Sequence, residues 1–220
     1  MKEKVLKNYN TELNMLLLVN ILLFIMLGFG LDYMADKSNI IKLLVMIVVP
    51  GIPSLLVTNF ISVDLKEDLI LDKKYEEEPI LTLLKKEDKN NEIDFHLIEL
   101  EYGKYSEDKD EQKKIWYKIY RKHEYNPRVT QVNRQYLMTR DFIFILLPLM
   151  PITVLFCIFS KNINFDIIFW WFILIIGEIF VFTLMANEFY NRVSKNPLLE
   201  ETYHLRKKHS LKDDYCFTYA

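Results

Sequence analysis

From Leu13 to Leu31 the chain reads LNMLLLVNILLFIMLGFGL with no charged residue. That is close to the roughly 20 apolar residues a helix needs to cross about 30 Å of hydrocarbon. Three further runs share this character: about Asn39 to Ile61, where Lys42 lies near one end and can snorkel outward; Phe142 to Ser160; and about Ile167 to Ala186, charged only at Glu178. The averages hide this segregation, since 51% hydrophobic, 26% charged and a net charge of -2 would suit a soluble globular domain. One apolar run can be the core helix of such a domain. Four runs in two close pairs leave too little polar chain to wrap them. The sequence therefore predicts an α-helical integral membrane protein with four transmembrane helices in two hairpins.

The polar head MKEKVLKNYNTE and the first apolar run have the outline of a secretory signal, but the core is too long and no small-x-small site precedes Asp32, Tyr33 and Met34. Of the 28 Lys and Arg residues, all but Lys37, Lys42 and Lys161 fall in the head, in the stretch from Ser62 to Asp141, or after Ala186. This bias places those three parts in the cytoplasm and the protein in an inner membrane, multi-pass with both termini cytoplasmic. Tyr33, Trp170 and Trp171 suit an interfacial belt.

The organisation that follows is a head and first hairpin (1–61), a cytoplasmic module running into helix 3 (62–141), a second hairpin (142–186) and a basic tail (187–220). In the module, DLILD, EPILTLL and IDFHLIELEY read as short strands between the turn-prone KKYEE and KKEDKNN, with Ile93, Phe95 and Leu97 alternating. Beyond Ser106, EDKDE supplies a cap and an acidic first turn for a helix striped by Ile115, Trp116, Ile119 and Tyr120, ending at Asn126-Pro127. A small α+β module inserted between helices 2 and 3 is expected. VTQVNRQYLMTRD contains no breaker and predicts a helix continuous with the third run, the alternative being a hinge at Arg140-Asp141. NEFYNRVSK extends the fourth run in the same way as far as Asn196-Pro197.

None of the five glycines lies in a phosphate-cradling loop, so nucleotide hydrolysis is not expected. Cys157 and Cys216 read as free thiols. His96, His123, His204 and His209 lack the spacing and the partners of a metal site, so no metal and no cofactor are expected, and no nucleic-acid motif is present. Glu200-Glu201 with Arg206 is one residue off the spacing of intramembrane prenyl-protein endoproteases and lies outside the apolar runs. The basic run RKKH reads as a cytoplasmic anchor meeting anionic lipid.

Glu178 is the costly residue, at roughly 2.5 to 3.5 kcal/mol for a carboxylate at mid-bilayer. The four-span arrangement places Asn20, Pro50, Gly51, Pro148 and Pro151 at a similar depth, where each proline frees helical carbonyls. Three readings are open: a protonated Glu178 gluing helices through Asn20 or a freed carbonyl, a ring of Glu178 around a cation pore in an oligomer, and a proton-coupled transport site. A single carboxylate offers no second catalytic group, so an enzyme is not expected. In overall plan the chain resembles the small multi-pass effectors of bacterial anti-phage systems, which disrupt the membrane when a partner signals infection. That resemblance implies an oligomeric pore-forming or ion-conducting effector, controlled by its module and acting in antiviral defence. The alternative is a membrane-anchored scaffold or sensor recruiting a soluble partner. The expected partners are the lipid bilayer, further copies of the chain, and a soluble cytoplasmic protein or small ligand.

Overall fold

The computed structural model describes residues 9–29, 60–160 and 165–217. Its elements are α1 (Asn10–Phe29), α2 (Val63–Ile70), α3 (Lys74–Glu77), α4 (Ile80–Glu87), α5 (Phe95–Tyr102), α6 (Lys109–His123), α7 (Pro127–Ser160) and α8 (Phe165–Phe217). The second apolar run, with Pro50 and Gly51, lies outside the described residues apart from its last two positions.

Two expectations are overturned. No strand occurs among the described residues, so the module is helical rather than α+β. Of the three segments read as strands, DLILD contributes Asp68–Ile70 to the end of α2, and the other two lie largely in α4 and α5. Local signals explain the outcome at α5: Asp94 caps it by accepting the Leu97 amide at 3.1 Å, and Phe95, Ile98 and Tyr102 turn inward at helical spacing. The alternation of Ile93, Phe95 and Leu97 straddles the cap, with Ile93 before it. At α4 the preceding residue is Pro79, whose ring fixes φ at -61° and which makes no side-chain capping bond.

Four membrane-spanning helices are likewise not found. Among the described residues one helix, within Phe169–Ser210 of α8, is long and apolar enough to cross a membrane, with mean hydropathy 2.1 over its apolar window. Among the described residues, Asn10–Met26 of α1 forms a shorter apolar stretch. The run from Phe142 belongs to α7, where Phe142 through Leu146 and Leu149 are buried, so part of its apolar character is spent on packing inside the protein.

The chain divides into two compact units. One consists of Met1–Ile70 and Tyr136–Ala186, the other of Leu71–Gln135 and Asn187–Ala220. We call them the apolar and polar units. In the apolar unit, Leu13, Leu17, Ile21 and Phe24 of α1 pack on Phe142, Ile145, Leu146 and Leu149 of α7 and on Trp171 and Ile175 of α8. Trp171 is thus a core residue, its ring 5.2 Å from Phe24, whereas Trp170 is exposed. In the polar unit, Leu81 and Leu84 of α4, Phe95 and Ile98 of α5, Ile119 of α6, and Leu198 and Leu205 of α8 form a separate core.

α6 carries the expected cap and stripe. Asp108 accepts the Asp110 amide at 2.9 Å, and Ile119 is fully buried between half-buried Ile115 and Trp116. Gln112, also buried, binds the Thr82 amide and hydroxyl and the Ser106 carbonyl, tying α6 to α4 and to its own entry loop. α7 is unbroken through Arg140-Asp141, with no hinge there. α8 does not stop at Asn196-Pro197 but continues through Pro197 to Phe217. Pro197 cannot donate to the Val193 carbonyl and crowds that turn, at a typical cost of about 3 kcal/mol. Pro197 and Leu198 are buried at this turn, and Trp116 donates its indole N–H to the neighbouring Ser194 carbonyl at 3.0 Å.

Candidate functional site

Of the residues singled out in the sequence, the structure brings Asn20 and Glu178 together. Asn20, on the buried face of α1, donates to the Leu16 carbonyl at 3.3 Å and hydrogen-bonds the Glu178 side chain from α8. Among the described residues, Asn20 Oδ1 and Glu178 Oε2 have no further partner. Pro148 is half-buried and Pro151 exposed, both inside α7. An amide facing one carboxyl can hold two helices together. Among the described residues, no second acid or nucleophile is seen to join it for acid–base or covalent chemistry.

The same unit contains a charged cluster that the sequence did not suggest. Asp141 accepts from Tyr9 Oη at 2.7 Å, from Lys66 Nζ at 3.0 Å and from Arg140 Nη2 at 3.2 Å, while Arg140 Nη1 reaches Glu67 at 3.4 Å. Lys66 and Arg140 are buried, and the Lys66 ammonium lies 5.7 Å from the centre of the Phe144 ring. Burial, reinforced by the Asp141 charge, pushes the Tyr9 phenol well above its usual range. Two cations and two carboxylates balance, so this network fastens α1, α2 and α7 and presents no net charge to a ligand.

The polar unit has a second cluster around Glu201 of α8, which is fully buried. Its carboxylate receives Lys122 Nζ at 2.8 Å and Tyr102 Oη at 3.1 Å, and His123 Nε2 lies at 2.6 Å. Burial alone would push this carboxyl up. The hydrogen bonds and charges of Lys122 and His123 outweigh burial and hold it below the usual carboxylate range. Burial and the Glu201 charge hold the Tyr102 phenol up. Next to Glu201, Thr202 Oγ1 accepts the Asp94 amide at 3.1 Å, and further along α8 Arg206 reaches Asp94 at 3.6 Å and Lys208 pairs with Glu101 at 2.9 Å. Two cations of the run read as a lipid anchor are therefore engaged with α5 and its cap. His204 and His209 are exposed. The spacing Leu198, Glu201, Leu205 does put Glu201 on a core-facing stripe, a signal hidden by ending the helix at Pro197.

Beside the start of α5, a cavity of about 330 Å³ is lined by Lys85, Asp88, Asn91, Ile93, Asp94, Phe95 and Arg206. Its polar groups largely serve the fold. Asp88 accepts the amides of Glu92 and Ile93, Asn91 takes a positive φ of 51° in the same loop, and Lys85 lies 3.5 Å from Glu99. Among the described residues no group of three metal-ligating side chains converges. No protein-family profile, curated protein or solved structure matches the chain.

Proposed function

We propose that the chain is a membrane-anchored recruiting protein: the apolar unit holds it in a bilayer, and the polar unit, facing the cytoplasm, captures a soluble partner. One observation carries this reading. Along the apolar stretch of α8, Phe169, Trp170, Ile173, Ile176, Phe180, Val181 and Leu184 are all exposed, and only 17% of the most apolar window is buried. The core helix of a soluble protein would be mostly covered, and a contiguous apolar ridge of this kind calls for lipid or protein around it. The Lys and Arg bias supports the cytoplasmic side of an inner membrane. Recruitment without catalysis is supported by the polar clusters, whose members largely satisfy one another, and by an independently cored polar unit with a charged surface.

The test is extraction of membranes from expressing cells at alkaline pH. Retention in the membrane pellet is expected, and release into the supernatant would overturn the anchor. A second reading, an oligomeric cation-conducting effector, is favoured by the unpartnered Glu178 Oε2. Ion flux from liposomes containing the purified chain, altered by Glu178→Gln, would establish conduction in place of recruitment. The recruiting reading expects no flux from either protein.

A further inference from the structure

The stretch from Lys113 to Lys122 in α6, KKIWYKIYRK, contains five cations and no acid. Its apolar side chains are used up inside the polar unit: Ile119 is buried and Ile115, Trp116 and Tyr120 are half-buried. Lys113, Lys114, Tyr117, Lys118 and Arg121 occupy the exposed face. Lys122 is drawn to Glu201, but no carboxylate pairs with Lys113, Lys114, Lys118 or Arg121 among the described residues. An exposed helix ordinarily alternates charge at i,i+4, whereas here Lys114, Lys118 and Lys122 follow one another at that spacing and repel. Two of the cations rest on aromatic faces. Arg121 lies 4.9 Å from the centre of the Tyr117 ring, itself stacked on Tyr120, and Lys118 lies 5.3 Å from that of Tyr102.

We infer that this face docks an acidic segment of a soluble protein, with Arg121 and Tyr117 at its centre and Lys114 and Lys118 beside them. The inference rests on the recruiting function proposed above and names the chemistry of its partner. Charge complementarity selects an anionic occupant, and the repulsion stored along the helix is relieved when carboxylates enter. A guanidinium held over a tyrosine ring offers a pre-ordered fork for a carboxylate, and exposed Tyr with Arg is the composition of protein-binding hot spots. A lipid surface fits less well. An interfacial helix needs apolar side chains to insert below the headgroups, and those of α6 are turned into the core.

The test uses the full-length chain in neutral detergent and a fluorescein-labelled Glu-rich peptide, read by anisotropy. Saturable binding that weakens with salt is expected, with a loss of roughly tenfold or more in the triple variant Lys114→Glu, Lys118→Glu, Arg121→Glu. A control triple, Lys89→Glu, Lys104→Glu, Lys109→Glu, makes the same change in net charge at other exposed positions and should bind as the parent does. Tyr117→Ala changes no charge and should weaken binding with the circular dichroism spectrum unaltered, which covers the case of a misfolded triple variant. Equal losses in the two triples, or none in either, would overturn the inference. So would α6-dependent binding to phosphatidylserine vesicles or to a single-stranded oligonucleotide in the absence of peptide binding. A chain released by alkaline extraction that still binds peptide through α6 would sink the anchor and leave this face standing. A retained chain blind to the peptide would do the reverse.

Discussion

α8 contributes to both units, and its exposed side reads differently in each. Between Phe169 and Met185 the residues left uncovered are, besides Gly177, all large and apolar, namely Phe, Trp, Ile, Val, Leu and Met, over buried Trp171 and Ile175. Between Asn187 and Ser210 the uncovered residues are Glu188, Arg192, Tyr203, His204 and the Arg206–Ser210 run, over buried Val193, Leu198, Glu201 and Leu205. Both stretches obey helical periodicity with an inner stripe. They differ in the medium that the outer stripe is fit to meet, so one continuous helix is written for two solvents.

The sharpest way to break this comparison is to give the outer stripe of the first stretch the polarity of the second. Ile176→Asp with Phe180→Asp places two charges on the exposed apolar ridge, at a cost of about 5 to 7 kcal/mol on insertion scales if lipid surrounds it. Membrane retention at alkaline pH should be lost. A charge added at an exposed position of the polar unit, Tyr203→Lys, should change stability by no more than about 0.5 kcal/mol. If the double variant stays in the pellet, the ridge does not face lipid.

The inner stripes also differ, and Glu201 sharpens that difference. Replacing it by Ala leaves Lys122, His123 and Tyr102 without their shared acceptor; Lys122 reaches solvent, so the loss is set by the half-buried His123 and Tyr102 groups, about 1 to 3 kcal/mol. Hydrogen exchange in the full chain should show faster exchange in α5, α6 and the tail, while α1 keeps its protection.

The same carboxylate predicts an acid limb. Held below its usual range when folded, it binds a proton more tightly in the unfolded chain, so its contribution is complete above about pH 4.3 and is lost as pH falls through the folded value. Thermal melts of the polar unit between about pH 3 and 6 should therefore show a steeper acid loss in the parent than in Glu201→Gln. Parallel curves would mean that other carboxylates carry the acid response.

Legibility in the sequence followed the locality of the signal. α6 could be read because its cap at Asp108, its acidic first turn and its stripe all lie within a few turns of chain. α5 was misread as a strand because eight residues carry little periodicity, and the deciding evidence was a single capping residue, Asp94. The fate of the apolar runs depended on what covers them. The lettering of Phe142–Leu149 and of Phe169–Leu184 is alike, yet the first is largely buried and the second largely exposed. The Glu201 cluster joins residues 99 positions apart from Tyr102 and 79 from Lys122, a pairing no short window contains. The contact between Asn20 and Glu178 was within reach, because each is a polar residue well inside an apolar stretch and such groups seek one another.

A small effect is expected at that contact, and it completes the comparison between the units. Asn20→Leu removes an amide of similar volume and leaves the α1 face wholly apolar. If the apolar unit lies in a bilayer, the loss should be about 0.6 kcal/mol, the average for hydrogen bonds between membrane helices, because a carboxyl released there finds a substitute partner in a neutral form or in stray water. Denaturation in mixed micelles of increasing sodium dodecyl sulfate would measure it. A cost near that of Glu201→Ala would instead place Glu178 in a rigid interior where no substitute exists, and the two clusters would then be the same device in one kind of medium.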